Sequence, residues 1–154
     1  MIRGTVDILT PQPVMGNISV DYRLKAGKDE IIADPNQLQQ VFLNIILNAA
    51  DSFTDGNEPE KEDGKKVLTI FSEVVGDALE LRFQDNGSGI TEEELAQIFD
   101  PFYTTKEPGK GTGLGLSVCY RIVEGLGGTI RAESFKGRGT TIIITLPQNG
   151  KAGH

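Results

Sequence analysis

The stretch from Asp34 to Phe53, DPNQLQQVFLNIILNAADSF, is one long helical pattern with a single apolar side, and it dictates what the rest of the chain must supply. Asp34 is a good N-cap. Pro35 suits the first helical position, where its missing N–H would have had no partner, and Gln37 completes a capping-box spacing. These signals predict a helix to about Phe53. On a wheel with Gln37 at the origin and about 100° per residue, Gln40, Asn44, Asn48 and Asp51 fall within about 60° of it. The opposite side carries Leu38, Phe42, Ile45, Ile46, Ala49, Ala50 and Phe53, and Val41 and Leu47 flank the polar stripe. Such a side must be buried against another layer, and the remaining segments read mostly as strands.

Ile18 to Leu24 alternates apolar and polar residues and reads as a strand. Val67–Val75 and Ala78–Gln84 are joined by Gly76-Asp77, a hairpin signal. Thr91, with Glu94 three residues on, caps a short acidic helix. Leu114 to Leu126 is helical and stops at Gly127-Gly128. Strands Thr129–Ser134 and Thr140–Leu146 follow, joined at Lys136-Gly137-Arg138-Gly139. Residues 4–15 could form a short helix, weakened by Pro11 and Pro13; residues 54–66 read as an exposed loop, and the tail from Gln148 as loose. The order β, long α, ββ, short α, glycine-rich loop, α, ββ predicts an α+β fold. It is a two-layer sandwich, with a mixed, mostly antiparallel sheet packed on helices on one face.

With 154 residues the chain is one domain with a core of its own. Its net charge of −7 argues against a nucleic-acid groove. No apolar run approaches the ~20 residues a membrane helix needs, and the N-terminus has no signal-peptide pattern. No direct membrane contact and a cytoplasmic location are expected. Cys119 is the only cysteine, so it has no internal disulfide partner, and the only histidine is the terminal His154. Histidine-based catalysis within a folded site is therefore not expected.

Asn44 and Asn48 sit one turn apart on the polar stripe. Exposed helix faces are ordinarily Glu, Lys and Gln, and asparagine is a poor helix former because its amide competes for backbone partners. A plain polar face remains one reading. The other is that an uncharged carbonyl oxygen completes a Mg²⁺ shell made mostly of waters and phosphate oxygens. Asp85-Asn86-Gly87-Ser88-Gly89 follows a strand. It reads either as an ordinary turn or as a carboxylate placed to accept from a nucleobase amino group, with glycines that let a ligand lie on bare backbone.

Gly109, Gly111, Gly113 and Gly115 alternate through DPFYTTKEPGKGTGLGLSV, residues 100–118. No Walker A string occurs. The dinucleotide fingerprint fails too, because Leu114 and Leu116 occupy its third-glycine positions. The loop nevertheless feeds a helix N-terminus, whose unpaired amides and dipole favour an anion. Thr104, Thr105, Lys106, Lys110 and Thr112 add hydroxyls and charge, and Phe99 and Phe102 could form an apolar hinge at its base.

Taken in order, these four features resemble the N, G1, F and G2 boxes of the sensor histidine kinase catalytic, ATP-binding domain. The boxes here are residues 37–52, Asp85 to Gly89, Phe99-Asp100-Pro101-Phe102 and Gly111 to Leu116. That domain belongs to the superfamily shared with DNA gyrase, the mismatch-repair ATPases and the large heat-shock chaperone, and the likeness covers about residues 18–147. It implies ATP and Mg²⁺ as ligands. Asn44 and Asn48 would face the triphosphate as the catalytic pair, with Asn48 on the metal. Asp85 would read the adenine amino group, and Gly87 and Gly89 would shape the base pocket. Residues 103–111 would be a lid between the sheet layer and the last helix, with Lys106 and Thr104 near the phosphates. Gly111, Thr112, Gly113, Leu114 and Gly115 would line the phosphate end. Thr140 resembles a threonine that helps the aspartate bind adenine.

Phosphoryl transfer needs alignment and charge neutralisation more than a nucleophile, which suits this inventory. The family passes the γ-phosphoryl group to a histidine on a separate dimerisation domain and then to a response-regulator receiver domain. No such histidine lies here, so the chain is expected to be a fragment of a longer protein, with Met1 added. Gyrase-like relatives place a water-activating glutamate where Asn44 stands, so transfer is favoured over hydrolysis. Tyr103-Thr104-Thr105-Lys106 resembles the nitrogen-regulation type of kinase. Two other readings are a serine kinase acting as an anti-sigma factor and a non-catalytic, nucleotide-dependent interaction domain.

Overall fold

In the computed structural model, residues 18–24, 35–52, 66–87, 89–99, 115–135 and 137–147 are described. Five strands form one sheet: β1 (Ile18–Leu24), β2 (Lys66–Val75), β3 (Ala78–Asp85), β4 (Thr129–Phe135) and β5 (Gly139–Pro147), in the order β1-β2-β3-β5-β4. The pairing of β1 with β2 is parallel, and the other three pairings are antiparallel. A parallel neighbour demands a crossover connection, and α1 (Pro35–Ser52) lies between the two strands in the chain. Among the described residues the other helices are α2 (Glu92–Leu95) and α3 (Gly115–Gly125). The mixed, mostly antiparallel α+β sandwich is as the sequence predicts. The expected helix at residues 4–15, residues 54–65 of the loop expected at 54–66, the lid and the tail from 148 lie outside the described residues.

Period-two alternation builds the inner face. Leu68 and Ile70 of β2, Leu79, Leu81 and Phe83 of β3, and Ile142, Ile144 and Leu146 of β5 are all buried. Against them α1 sets Leu38, Phe42, Ile45, Ile46 and Ala49, with the Phe42 and Phe83 ring centroids 5.8 Å apart. On the outer face arginines pair along their own strands, as Arg82 does with Glu80 and Arg131 with Glu133.

Val41 departs from the wheel. It borders the polar stripe in sequence yet is fully buried, because α3 packs beside it and the Cys119 thiol donates to its carbonyl at 3.6 Å. Two helices lie side by side, so the buried arc of α1 is wider than a single sheet contact would make it.

Chain ends of the helices are as the local chemistry dictates. Thr91 Oγ1 accepts from the Glu94 N–H while the Glu94 carboxylate accepts from the Thr91 N–H, a complete capping box on α2. After α3, Gly127 takes φ +80°, its N–H donating to Glu124 O while the Gly128 N–H donates to Val123 O. That crossed pair is a Schellman stop, and it needs a left-handed residue at Gly127. Strand ends differ from the sequence boundaries by a residue or so: Lys66 opens β2, and Gly139 belongs to β5 rather than to its turn.

Candidate functional site

The alternation that buries Leu79, Leu81 and Phe83 carries one step further, to Asp85, the last residue of β3. A carboxylate thus occupies an inward-facing position and is only 5% exposed. Burying it requires hydrogen-bond partners. Gly87 N–H donates to Asp85 Oδ1 at 2.9 Å, a turn formed by the side chain two residues back, and Thr140 N–H donates to the same oxygen at 3.2 Å. Gly89 has φ +69°, a left-handed conformation that favours glycine. Asn86 holds the turn in place, since its Oδ1 accepts from Val67 N–H at 2.8 Å and so ties the turn to the start of β2.

Thr140 faces inward beside Asp85 and is also buried. Its hydroxyl lies 2.9 Å from Ser134 Oγ, which donates to Gly139 O at 2.9 Å and accepts from Ile90 N–H at 2.9 Å. Asp85, Gly87 and Thr140 are therefore brought together. Ser134, Ile90 and Gly139 join them without any forewarning in the sequence. Ser134 reads there as one more polar residue near a strand end; only its register opposite Thr140 gives it this place.

On α1 the polar stripe becomes less exposed along the helix: Gln37 and Gln40 are exposed, and Asn44 and Asn48 are half-buried. Asn44 reaches the Cys119 thiol of α3. Burial pushes that thiol up to about 12, and the Asn44 amide opposes the shift. A neutral thiol in the fold and a lower value in the open chain mean that stability is complete below about pH 9. It is then lost as pH rises toward about 12. Cys119→Ala is expected to remove that part of the alkaline loss in urea titrations. The native thiol should also alkylate much more slowly at pH 8 than the unfolded one, because it is buried and held protonated. Equal rates with and without urea would contradict the buried placement.

Asn48 offers one hard amide oxygen, and no cluster of three or more acidic, cysteine or histidine side chains occurs among the described residues. Such a donor set fits Mg²⁺ only if the ion keeps most of its shell on waters and phosphates. Phe99 is half-buried, packed on the core, with its ring 5.9 Å from that of Tyr120 on α3. Gly115 opens α3. Phe102, Thr104, Lys106, Gly111, Thr112, Gly113 and Leu114 lie outside the described residues. No described helix is long and apolar enough to cross a membrane.

Residues 33–150 match the family described as histidine kinase-, DNA gyrase B-, and HSP90-like ATPase. Sporulation kinase E of Bacillus subtilis (strain 168) is 38% identical over 147 residues, covering 96% of this chain and 19% of its own length. The nucleotide-free catalytic domain of histidine kinase ThkA superposes with a TM-score of 0.77 at 28% identity, covering 96% of this chain and 91% of that one. ThkA in complex with the response regulator protein TrrA gives 0.73 at 25% identity, covering 97% of this chain and 40% of that one. The chain spans 19%, 14% and 32% of the length of the first three curated relatives it matches.

Proposed function

Because the chain belongs to the histidine kinase-, DNA gyrase B-, and HSP90-like ATPase family, we propose that it binds ATP with Mg²⁺ and supplies the γ-phosphoryl group to a histidine on a separate dimerisation domain, as the catalytic domain of a two-component sensor kinase. The observation that carries this reading is Asp85. It is a buried carboxylate held on Oδ1 by two amides at the end of β3, and a fixed acceptor of this kind suits a base amino group. Desolvation makes such a hydrogen bond strong and selective, because the partner cannot be replaced by water.

Each residue then has its own part. Asp85 and Thr140 hold the base, and Gly87 and Gly89 shape the turn against it. Asn48 supplies an oxygen to the metal, which neutralises phosphate charge when bound. Asn44, anchored toward Cys119, lines the triphosphate without being able to take a proton from water, so transfer is favoured over hydrolysis. The loop amides and hydroxyls at Thr104, Lys106, Gly111, Thr112, Gly113, Leu114 and Gly115 close over the phosphates, and Phe99 with Phe102 anchors that loop's base. The downstream partner is a response-regulator receiver domain, a reading supported by the complex of ThkA with response regulator protein TrrA. The nitrogen-regulation type remains the subtype we favour, on Tyr103 to Lys106, and the cytoplasm is the compartment.

Mixing the chain with a separately produced dimerisation domain and γ-labelled ATP tests this directly. Acid-labile, alkali-stable label on the histidine domain is expected. Label on serine of an antagonist protein, or nucleotide binding without transfer to any acceptor, would replace the kinase reading with one of its rivals.

A further inference from the structure

β3 stops pairing with β2 at Asp85, opposite Leu68, while Lys66 and Val67 of β2 pair on with Ile18 and Ser19 of β1. A main-chain N–H left at such a departure needs another acceptor. Asn86 supplies one from its side chain: Oδ1 accepts from Val67 N–H at 2.8 Å, as a ladder carbonyl would. The main chain can then leave the sheet at once, and the Gly87 N–H turns back onto Asp85 Oδ1 at 2.9 Å.

The chain is caught again at Ile90. Its N–H donates to Ser134 Oγ at 2.9 Å, and the same hydroxyl donates to Gly139 O at 2.9 Å. Ser134 stands on β4 opposite Thr140, whose own N–H is the second donor to Asp85 Oδ1. One flank of the turn is thus fastened to β2 and the other to the β4–β5 hairpin, each through a side chain. Gly87 and Gly89 between these points bring no stiffness of their own, since glycine has the most backbone freedom to lose.

We propose that Asn86 and Ser134 are positioning residues for nucleotide binding: they fasten the two flanks of the turn that carries Asp85, Gly87 and Gly89, so that the base end of the pocket is formed before a ligand arrives. The inference rests on the nucleotide reading above. Ordering a loop at the moment of binding subtracts from affinity, and a loop held in advance avoids that loss. The effect belongs to the base end, so ligands that differ only in phosphate number share it.

Amide hydrogen exchange by NMR on the nucleotide-free 154-residue chain reads the turn directly. In Asn86→Ala and in Ser134→Val the Gly87 N–H should exchange about tenfold faster, relative to its intrinsic rate, the strength of about one neutral hydrogen bond. The Phe83 N–H, inside the ladder between β2 and β5, should keep its native protection. Titration calorimetry with ATP and with ADP, each with Mg²⁺, should give both affinities about tenfold lower in these variants, with their ratio held within about twofold of native. Ser134→Thr keeps the hydroxyl and should return exchange and affinity to within about twofold of native. Valine and threonine are near-isosteres and both suit a strand, so the pair separates loss of hydrogen bonding from loss of packing. Native Gly87 exchange or native ATP affinity in either variant overturns the role of the residue replaced. Loss of Phe83 protection together with Gly87, or an affinity loss confined to ATP, overturns the inference as well. A native chain that binds neither nucleotide removes the ATP reading and the binding role with it, while exchange at Gly87 still decides whether the two side chains hold the turn.

Discussion

Asp85→Asn is expected to lower ATP affinity by at least about a hundredfold while leaving the fold close to native. The reason is that asparagine has no orientation that serves both sides of the site. With its oxygen in the place of Oδ1, it still accepts from Gly87 N–H and Thr140 N–H, and its NH₂ then faces the base amino group, donor to donor. With the amide flipped, the NH₂ meets the two backbone amides instead. The first orientation preserves the protein and sacrifices the ligand. It loses a charge-assisted hydrogen bond, about 1.5–3 kcal/mol, and adds a mismatched buried donor, about 1–3 kcal/mol. Together these correspond to roughly two to four orders of magnitude in affinity. Calorimetric titration with ATP, alongside thermal unfolding, separates the two effects. Affinity within about twofold of native would sink the assignment of Asp85 to the base. Asp85→Ala is the instructive contrast: it strands both amides without an acceptor and should destabilise the protein by about 2–4 kcal/mol.

That double duty of Asp85 explains what the sequence could and could not disclose. The helix from Pro35, the hairpin at Gly76-Asp77, the Thr91 capping box and the Gly127 stop are local signals. Each is fixed by chemistry within a few residues, and each is present in the structure. The width of the buried arc on α1 was not local. Val41 looked like a border residue until α3, more than seventy positions later, packed its Cys119 on it, a contact with a sequence separation of 78. Ser134 is the same kind of case. Its partners are Thr140 across a hairpin and Ile90 at a separation of 44, and no periodicity announces that pair. Asp85 was legible as a candidate because it ends an alternating strand, yet its Thr140 amide depends on β5 lying next to β3 although β4 intervenes in the chain.

Gly139→Ala carries the other large expected effect, and here the sequence suggested only a turn. Gly139 has φ +102°, and a Cβ built on it would stand 2.1 Å from Asp85 O, 2.9 Å from Asp85 C and 3.0 Å from Asn86 Cα. All three are backbone atoms, so no side-chain rotation relieves the clash. Either β5 or the end of β3 must move, and the atoms that move are those that aim the Asp85 carboxylate. Backbone strain at such a φ costs about 1–3 kcal/mol, and overpacking adds about 1–3 kcal/mol. Their sum is a large share of the ~5–15 kcal/mol that holds a domain of this size. Gly137, in the same connection, is the internal control. It too has a positive φ, +87°, with nothing within 4 Å of its Cβ position, so Gly137→Ala bears the backbone strain alone. Urea unfolding should place Gly139→Ala below Gly137→Ala by about 1–3 kcal/mol, the overpacking part. ATP affinity should fall at least about tenfold in the first and stay near native in the second, since only the first displaces the acceptor. Equal midpoints and equal affinities for the two variants would show that the close approach of β5 to Asp85 does not set the site.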